Sequence, residues 1–214
     1  MLRKLTILSV ILAVTAASQA AFISFFTTYS GAVPGSQTVN LPKYNGTDPL
    51  VSVQLILESF AYSGSIVWDN ESQTVTEVHL GIGAQVTATG PDATTLVAVP
   101  MTTGTDPAVG VDDEAGGPDF AGSDIFQLLG LTSTDSDSGF ATNLALYQGA
   151  DTFGVDIDAI VGTYLLAVGG SGDTQATPGT TDGKVTVIYE TIPEPATMSL
   201  LAIGGVAALI RRKK

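Results

Sequence analysis

Apolar and polar side chains alternate along much of the middle of the chain. In "VSVQLILE" (residues 51–58) every second residue is Val or Leu, and from 78 to 86 every second residue is again apolar. A period of two is typical of a strand that buries one face. By the same pattern we predict further strands at 95–101, 152–160, 162–169 and 184–191.

Between these stretches lie residues that favour turns, and no segment of the body has a convincing amphipathic helical period. "SGSIVWDNESQTVTEVHLGIGAQVTAT" predicts a β-hairpin that turns around residues 69–71. Residues 102–150 are less regular: "TTGTDPAVGVDDEAGGPDFAGSD" predicts a long acidic loop, while "DIFQLLG" and "NLALYQG" fit a helical turn or a short strand. The fold class that we expect is all-β, an antiparallel β-sandwich or jelly roll.

The first twenty residues, "MLRKLTILSVILAVTAASQA", have a different pattern. Two cations come first, an uncharged apolar stretch follows, and small residues end the segment. This layout is typical of a secretory signal peptide, here 1–20, cleaved between Ala20 and Ala21. The alternative is a retained membrane helix, but the apolar run is short.

The other end is also apolar. Residues 196–210, "ATMSLLAIGGVAALI", carry no charge and are followed by four cations, Arg211, Arg212, Lys213 and Lys214. Fifteen helical residues reach about 22 Å, which spans a bilayer if the basic side chains snorkel and the membrane thins. The cations predict that this end stays in the cytoplasm and that the body lies outside. The alternative is a buried C-terminal helix, although the segment has no polar face.

The charges separate the ends from the body. Six of the eight basic residues lie in positions 1–4 and 211–214, so residues 22–192 carry 20 acidic and two basic side chains, a formal charge of −18. Such a body repels the phosphates of nucleic acids and anionic lipids, and we expect no nucleic acid partner. Without cysteine, the chain has no disulfide, thiolate nucleophile or cysteine metal site.

The tripeptide Pro193, Glu194 and Pro195, the apolar run with its Gly-Gly pair and the basic tail together resemble the PEP-CTERM sorting signal. The resemblance covers residues 192–214. It implies that exosortase, a membrane-embedded protease, recognises the Pro-Glu-Pro motif, and that the basic tail 211–214 holds the apolar segment in the inner membrane as a transient anchor. Signal peptidase and exosortase are then the processing partners, in a bacterium that makes extracellular polysaccharide. The mature protein is expected at the cell surface or in the extracellular matrix.

The body, residues 21–191, resembles the choice-of-anchor E domain. The resemblance rests on "LPKYNGTDPLVSVQLILESFAYSGSIVWDNESQTVTEVHLGIGAQVT", "LALYQGADTF" and "GKVTVIYE". It implies an extracellular all-β module that stands ahead of a sorting signal and has no known catalytic residues.

Few residues of the body indicate catalysis. His79 is the only histidine, which excludes a two-histidine metal site, and the alternation around it predicts an exposed position on a strand. The chain has no Gly-x-Ser-x-Gly elbow. A glycosidase needs two carboxylates across a cleft, whereas most acids here lie beside Gly, Ser and Thr, where solvation explains them.

Calcium is the one cofactor that the acidic residues suggest, because calcium takes six to eight oxygen ligands. Neither of the two acidic stretches completes the EF-hand pattern, and the alternative is a plain solvated loop. The candidate ligands are Asp112, Asp113, Glu114, Asp119, Asp124, Asp135 and Asp137.

These observations predict a non-enzymatic, exported surface or matrix protein associated with extracellular polysaccharide. The alternative is a polysaccharide-binding module, assisted by calcium, in which exposed aromatic rings stack on sugars. Trp68 fits either the core or such an aromatic surface.

Overall fold

Two antiparallel β-sheets pack face to face in the computed structural model, which describes residues 20–113 and 117–192. The predicted β-sandwich is confirmed. The strands are β1 (Ala21–Ala32), β2 (Gly35–Pro42), β3 (Leu50–Asn70), β4 (Thr76–Thr89), β5 (Thr95–Ala98), β6 (Met101–Val109), β7 (Ile125–Phe140), β8 (Thr152–Val168), β9 (Gly172–Thr177) and β10 (Thr180–Thr191). A 3-10 helix spans Leu144–Tyr147.

The strands divide evenly between the sheets. Sheet A has the order β1-β10-β3-β7, with β9 also paired to β3; sheet B has the order β2-β8-β4-β5, with β6 also paired to β4. The first four strands alternate between sheets A and B. Strands that follow one another in this part of the chain therefore lie on opposite sides of the core. The long strands β3 and β4 each pair with three other strands and lie in the interior of their sheets.

The core lies between the inner faces of the two sheets. Val53, Leu55 and Leu57 of β3 are at most 1% exposed, as their alternation predicts. They belong to one large cluster with Val86 of β4 and Val155 of β8. A smaller cluster at the far end of the sandwich contains Ile66, Trp68, Val78, Leu80, Ile82 and Val109. Burial of these apolar faces is the main source of stability in a chain without disulfides.

The predicted hairpin at residues 69–71 is wrong. The chain does reverse there, but β3 lies in sheet A and β4 in sheet B, so the two strands face each other across the core. The side chain of Asn70 stabilises this arch: its Nδ2 donates to the carbonyls of Thr74 and Gly110, and its Oδ1 accepts from the amide of Ser72.

Other predicted elements have different boundaries in the structure. The strand at 95–101 is split between β5 and β6, because Pro100 supplies no amide to the ladder. The strands at 152–160 and 162–169 form one continuous strand, β8. The first part of the predicted acidic loop, to Val109, belongs to β6. "DIFQLLG" lies at the start of β7, and "NLALYQG" contains the 3-10 helix.

Three predicted segments lie outside the described residues. They are the signal peptide before Ala20, the apolar segment 196–210 and the basic tail 211–214. Within the ranges that the structure covers, no helix is long and apolar enough to cross a membrane.

Candidate functional site

The two ends of the body meet at one pole of the sandwich. Ala21, the first residue of β1, pairs directly with Thr191, the last residue of β10. The Thr191 hydroxyl donates to the carbonyl of Ala21 at 3.4 Å, and the amide of Ile192 donates to the carbonyl of Pro49 at 3.2 Å. We call Ala21, Thr191 and Ile192 the terminal pole. The predicted cleavage site at Ala20 and Ala21 lies here, and Pro193, Glu194 and Pro195 follow directly in sequence, outside the described residues.

The acidic loop between β6 and β7 uses its carboxylates to hold its own main chain. Oδ2 of Asp113 accepts the amide of Ser123 at 3.0 Å, and Oδ1 of Asp119 accepts the amide of Ala121 at 2.7 Å. Asp112 accepts a longer hydrogen bond, of 3.3 Å, from the side chain of Gln73. Glu114 lies outside the described residues. Among those described, no three acidic or histidine side chains are grouped so that they could hold a metal ion.

Asp124 differs from the other acids of this loop because it is buried, with 2% of its surface exposed. Its Oδ2 accepts the amide of Asp113 at 3.1 Å, whereas its Oδ1 has no hydrogen-bond partner within the described ranges. A buried carboxylate oxygen without a partner is costly. Calcium at this loop stays a prediction, and Asp124 is the residue to test.

The other two calcium candidates, Asp135 and Asp137, lie on strand β7 and not in a loop. Their carboxylates accept the main-chain amides of Val99, at 2.6 Å, and of Val97, at 2.8 Å. These amides belong to β5 and to the residue after it, in sheet B. The two aspartates therefore join the edges of the two sheets. Their spacing of two residues, typical of one face of a strand, was the signal for this role.

A cleft of about 740 Å³ opens on sheet A, where β10, β3 and β7 run side by side. Phe60 lies in it and is 37% exposed, and the centre of its ring is 5.5 Å from that of Tyr62. Glu58 and Lys184 form an exposed ion pair, with Nζ 2.5 Å from Oε2. Asp182 is directly opposite Phe60 in the register and adds a second carboxylate to the same face. The cleft thus combines an aromatic ring with carboxylates and an ammonium group.

Sequence reasoning did not identify this cleft. One signal was available: Lys184 is one of only two lysines in residues 22–192. The register that brings it beside Glu58 depends on pairing between residues far apart in sequence, which a single sequence does not reveal.

His79 and Trp68 lie away from the cleft. His79 is on β4, on the face opposite Val78 and Leu80, so it points outward from sheet B. Both of its ring nitrogens have partners at 2.9 Å, Glu77 and Thr105. Trp68 is 1% exposed and belongs to the core, so its ring is not available to stack on a sugar.

A further polar network surrounds Asp92, in the turn between β4 and β5. Burial alone would raise the pKa of this carboxyl, but hydrogen bonds from Tyr147, Thr142 and Thr94 outweigh it and hold the pKa well below its usual value. The Tyr147 hydroxyl donates to Oδ1 at 2.7 Å. Burial and the neighbouring carboxylate raise the pKa of Tyr147 in turn. The network joins the β4–β5 turn to the 3-10 helix and has a structural role.

Comparison with solved structures gives only weak similarity. The chain is 15% identical to the structure of infectious bursal disease virus Gx strain over 83% of this chain and 44% of that one, with a TM-score of 0.19. It thus spans less than half the length of that structure. Desmodium yellow mottle tymovirus is 7% identical over 83% of this chain and 90% of that one, also with a TM-score of 0.19. Scores this low support no argument about fold or function.

Comparison with curated proteins gives no match. One family model matches the chain: the PEP-CTERM protein-sorting motif, at residues 191–214. The match begins at Thr191, at the terminal pole, and contains Pro193, Glu194 and Pro195. It leaves the resemblance of the body to the choice-of-anchor E domain untested. The chain therefore carries a PEP-CTERM protein-sorting motif, the signal of an extracellular protein sorted by exosortase.

Proposed function

We propose that this chain is a non-enzymatic protein of the cell surface or extracellular matrix. A signal peptide delivers the β-sandwich, the C-terminal segment holds it at the inner membrane, and exosortase cleaves near Pro193, Glu194 and Pro195. The released or transferred body then associates with extracellular polysaccharide.

The geometry of the terminal pole carries this proposal. Because Ala21 pairs with Thr191, both predicted processing segments leave the body at the same place. Strand β10 ends at Thr191, before the Pro-Glu-Pro motif. Removal of residues 1–20 and of the chain after Ile192 therefore leaves all ten described strands intact. Each proline fixes its own φ and Pro195 favours an extended Glu194, a conformation that suits a protease cleft.

The positions of the ionisable side chains support a non-enzymatic role. His79 points outward from sheet B, whereas the carboxylates of the cleft lie on sheet A, on the opposite side of the sandwich. Glu58 is engaged in its ion pair with Lys184. Hydrolysis of a polysaccharide that disappears in a Glu58→Gln variant would overturn this part of the proposal.

The sorting proposal is tested in cells by the variant Glu194→Ala. We expect this variant to stay with the membrane fraction and to retain the basic tail, while the wild-type body is found without it. Thr177→Ala, an exposed change on β9, is the matched control and should be processed like the wild type. Equal processing of Glu194→Ala would contradict recognition of the motif.

A second candidate function is direct binding of polysaccharide in the cleft on sheet A. Its aromatic ring and carboxylates favour this function, because sugar rings stack on aromatic faces and sugar hydroxyls donate to carboxylates. With a formal charge of −18 on residues 22–192, a neutral polysaccharide is the expected ligand.

A glycan array on the exported protein tests this second function. We expect Phe60→Ala to lose binding at least tenfold, since Phe60 is the one aromatic side chain among the described residues that line the cleft. Phe140→Ala is the control: Phe140 is 63% exposed on β7 and lies outside that lining. Binding that survives Phe60→Ala, or that is lost equally in Phe140→Ala, would contradict the assignment.

Calcium assistance has one supporting observation, the unpartnered and buried Oδ1 of Asp124. Calorimetric titration with calcium should give heat and raise the melting temperature, and Asp124→Asn should abolish both effects. No heat and no thermal shift at millimolar calcium would refute it.

A further inference from the structure

On one lateral side of the sandwich, the two edge strands carry no charged side chain of their own, although the Lys184 ammonium of β10 lies 5.9 Å from the centre of the Phe26 ring. Strands β1 and β2 are the outer strands of sheets A and B on the same side. Residues 21–42, which contain both strands, include no acidic or basic side chain. All 20 acids of the body lie elsewhere. We call this surface the uncharged side.

The opposite side is protected against pairing with other strands. Asp135 and Asp137 of β7 accept the outward amides of Val99 and Val97, so the edge formed by β5 is already hydrogen-bonded. Strand β6, on the same sheet, contains Pro107. Charged residues and prolines on edge strands are the usual means by which proteins prevent edge-to-edge association.

Strand β1 has none of these protections. It pairs with β10 in unbroken register over residues 21–32, without a bulge or proline, and no other described strand pairs with it. Its large apolar side chains are exposed: 67% for Phe22 and Phe26, 39% for Ile23 and 37% for Phe25. A long apolar edge strand without such protection is a template for a further strand.

We propose that two copies of this chain associate through β1, as an antiparallel pair with its two-fold axis at Ser24. In this register Phe22 lies opposite Phe26 of the partner subunit, and Ile23 lies opposite Phe25 of the partner subunit. Directly opposed residues of antiparallel strands share a face. All four large apolar residues of β1 are thus matched with apolar partners, and sheet A continues from one protomer into the other.

Charge and area favour a second copy as the occupant. Copies that each carry −18 on residues 22–192 repel one another, and the uncharged side is where two bodies approach with least repulsion. At about 200 Å² for a phenylalanine side chain, the exposed parts of Phe22, Phe25 and Phe26 come to about 340 Å² in each copy. A standard interface buries about 800 Å² per partner. The exposed rings set an upper limit of nearly half of that area for contacts between the rings, so the main-chain hydrogen bonds of the strand pair must also contribute.

Because the chain has no cysteine, one introduced thiol reports the register. Ser24→Cys places two thiols directly opposite each other, at a separation that a disulfide bridges. Thr28→Cys is the matched control, on the same strand and the same exposed face. In the proposed register the two copies of position 28 are about 26 Å apart, eight residues along the strand.

The experiment is oxidation of the exported protein followed by non-reducing electrophoresis. We expect at least tenfold more disulfide dimer for Ser24→Cys than for Thr28→Cys, and loss of that dimer when Phe26→Lys is added. Fluorescence of the buried Trp68 checks that this variant is folded. Sedimentation of the unmodified protein should give twice the mass of one copy. A monomer at high micromolar concentration, or equal crosslinking at both positions, would overturn the proposal.

Discussion

Replacing Asp92 with Asn should destabilise the sandwich. The carboxylate accepts six hydrogen bonds: from the amide and hydroxyl of Thr94, from the amide and hydroxyl of Thr142, from the amide of Asn143 and from the hydroxyl of Tyr147. Oδ2 alone accepts four of them. In Asn, one of the two positions becomes an NH₂ group, which places donors against donors.

The NH₂ group takes the place of one oxygen, and the oxygen with fewer partners, Oδ1, accepts two of the six hydrogen bonds. A hydrogen bond to a charged acceptor contributes about 1.5–3 kcal/mol, and the partial exposure of Asp92 favours the lower end for each. We expect a loss of about 2–3 kcal/mol in the free energy of unfolding. For a domain of this size, the melting temperature should fall by about 4–12 °C.

Thermal unfolding followed by the fluorescence of Trp68, the single tryptophan, measures this effect. Asp173→Asn is the control, because Asp173 is an exposed carboxylate on β9 and its replacement should change stability little. If Asp92→Asn were as stable as the control, the hydrogen bonds to Asp92 would not stabilise the sandwich.

The stability difference between the wild type and Asp92→Asn should also depend on pH. The hydrogen bonds lower the pKa of Asp92 in the folded state, so its contribution is complete above the unfolded value of about 3.9 and is lost as pH falls further. The difference in stability between wild type and Asp92→Asn should be constant from pH 7 to about pH 5 and shrink below pH 4. A difference that stays unchanged down to pH 2.5 would contradict the assigned cause.

Two further predictions concern the core and the join between the sheets. Leu57→Ala removes a fully buried side chain and should lower the free energy of unfolding by about 2–5 kcal/mol. Leu129→Ala is the control, because Leu129 is 58% exposed and its replacement should change the free energy of unfolding little. Urea unfolding measures both variants, and equal effects would be evidence against the assigned core. Asp135→Ala with Asp137→Ala removes both acceptors of the outward amides at β5. It should speed the hydrogen exchange of these amides at least tenfold, as mass spectrometry of exchanged protein would measure; unchanged protection would contradict the join.

The sequence predicted what depends on local alternation. The buried faces of β3 and β4 were evident because one-sided burial requires a period of two, and Leu55 and Leu80 follow it. It could not tell which sheet each strand joins, because turn residues such as Asn70 reverse the chain equally well within a sheet or between sheets. The hairpin prediction failed for this reason.

For similar reasons, the sequence predicts the sorting motif but not the cleft on sheet A. The sorting motif is a contiguous segment, so residue order alone identifies it, and residues 191–214 match. The cleft depends on pairing between Lys184 and Glu58, which are distant in sequence. Acidic residues near glycine favour loops, so the sequence predicts that Asp135 and Asp137 are loop ligands. In the structure, their alternation places them on one face of β7.

The intact mass of the native protein, isolated from cells, shows whether both processing segments are removed. The full chain has a mass of 21.9 kDa. Processing at both ends predicts a mass that lacks residues 1–20 and also the C-terminal segment that follows the Pro-Glu-Pro motif. A mass that still includes Arg211, Arg212, Lys213 and Lys214 would contradict processing at the sorting motif.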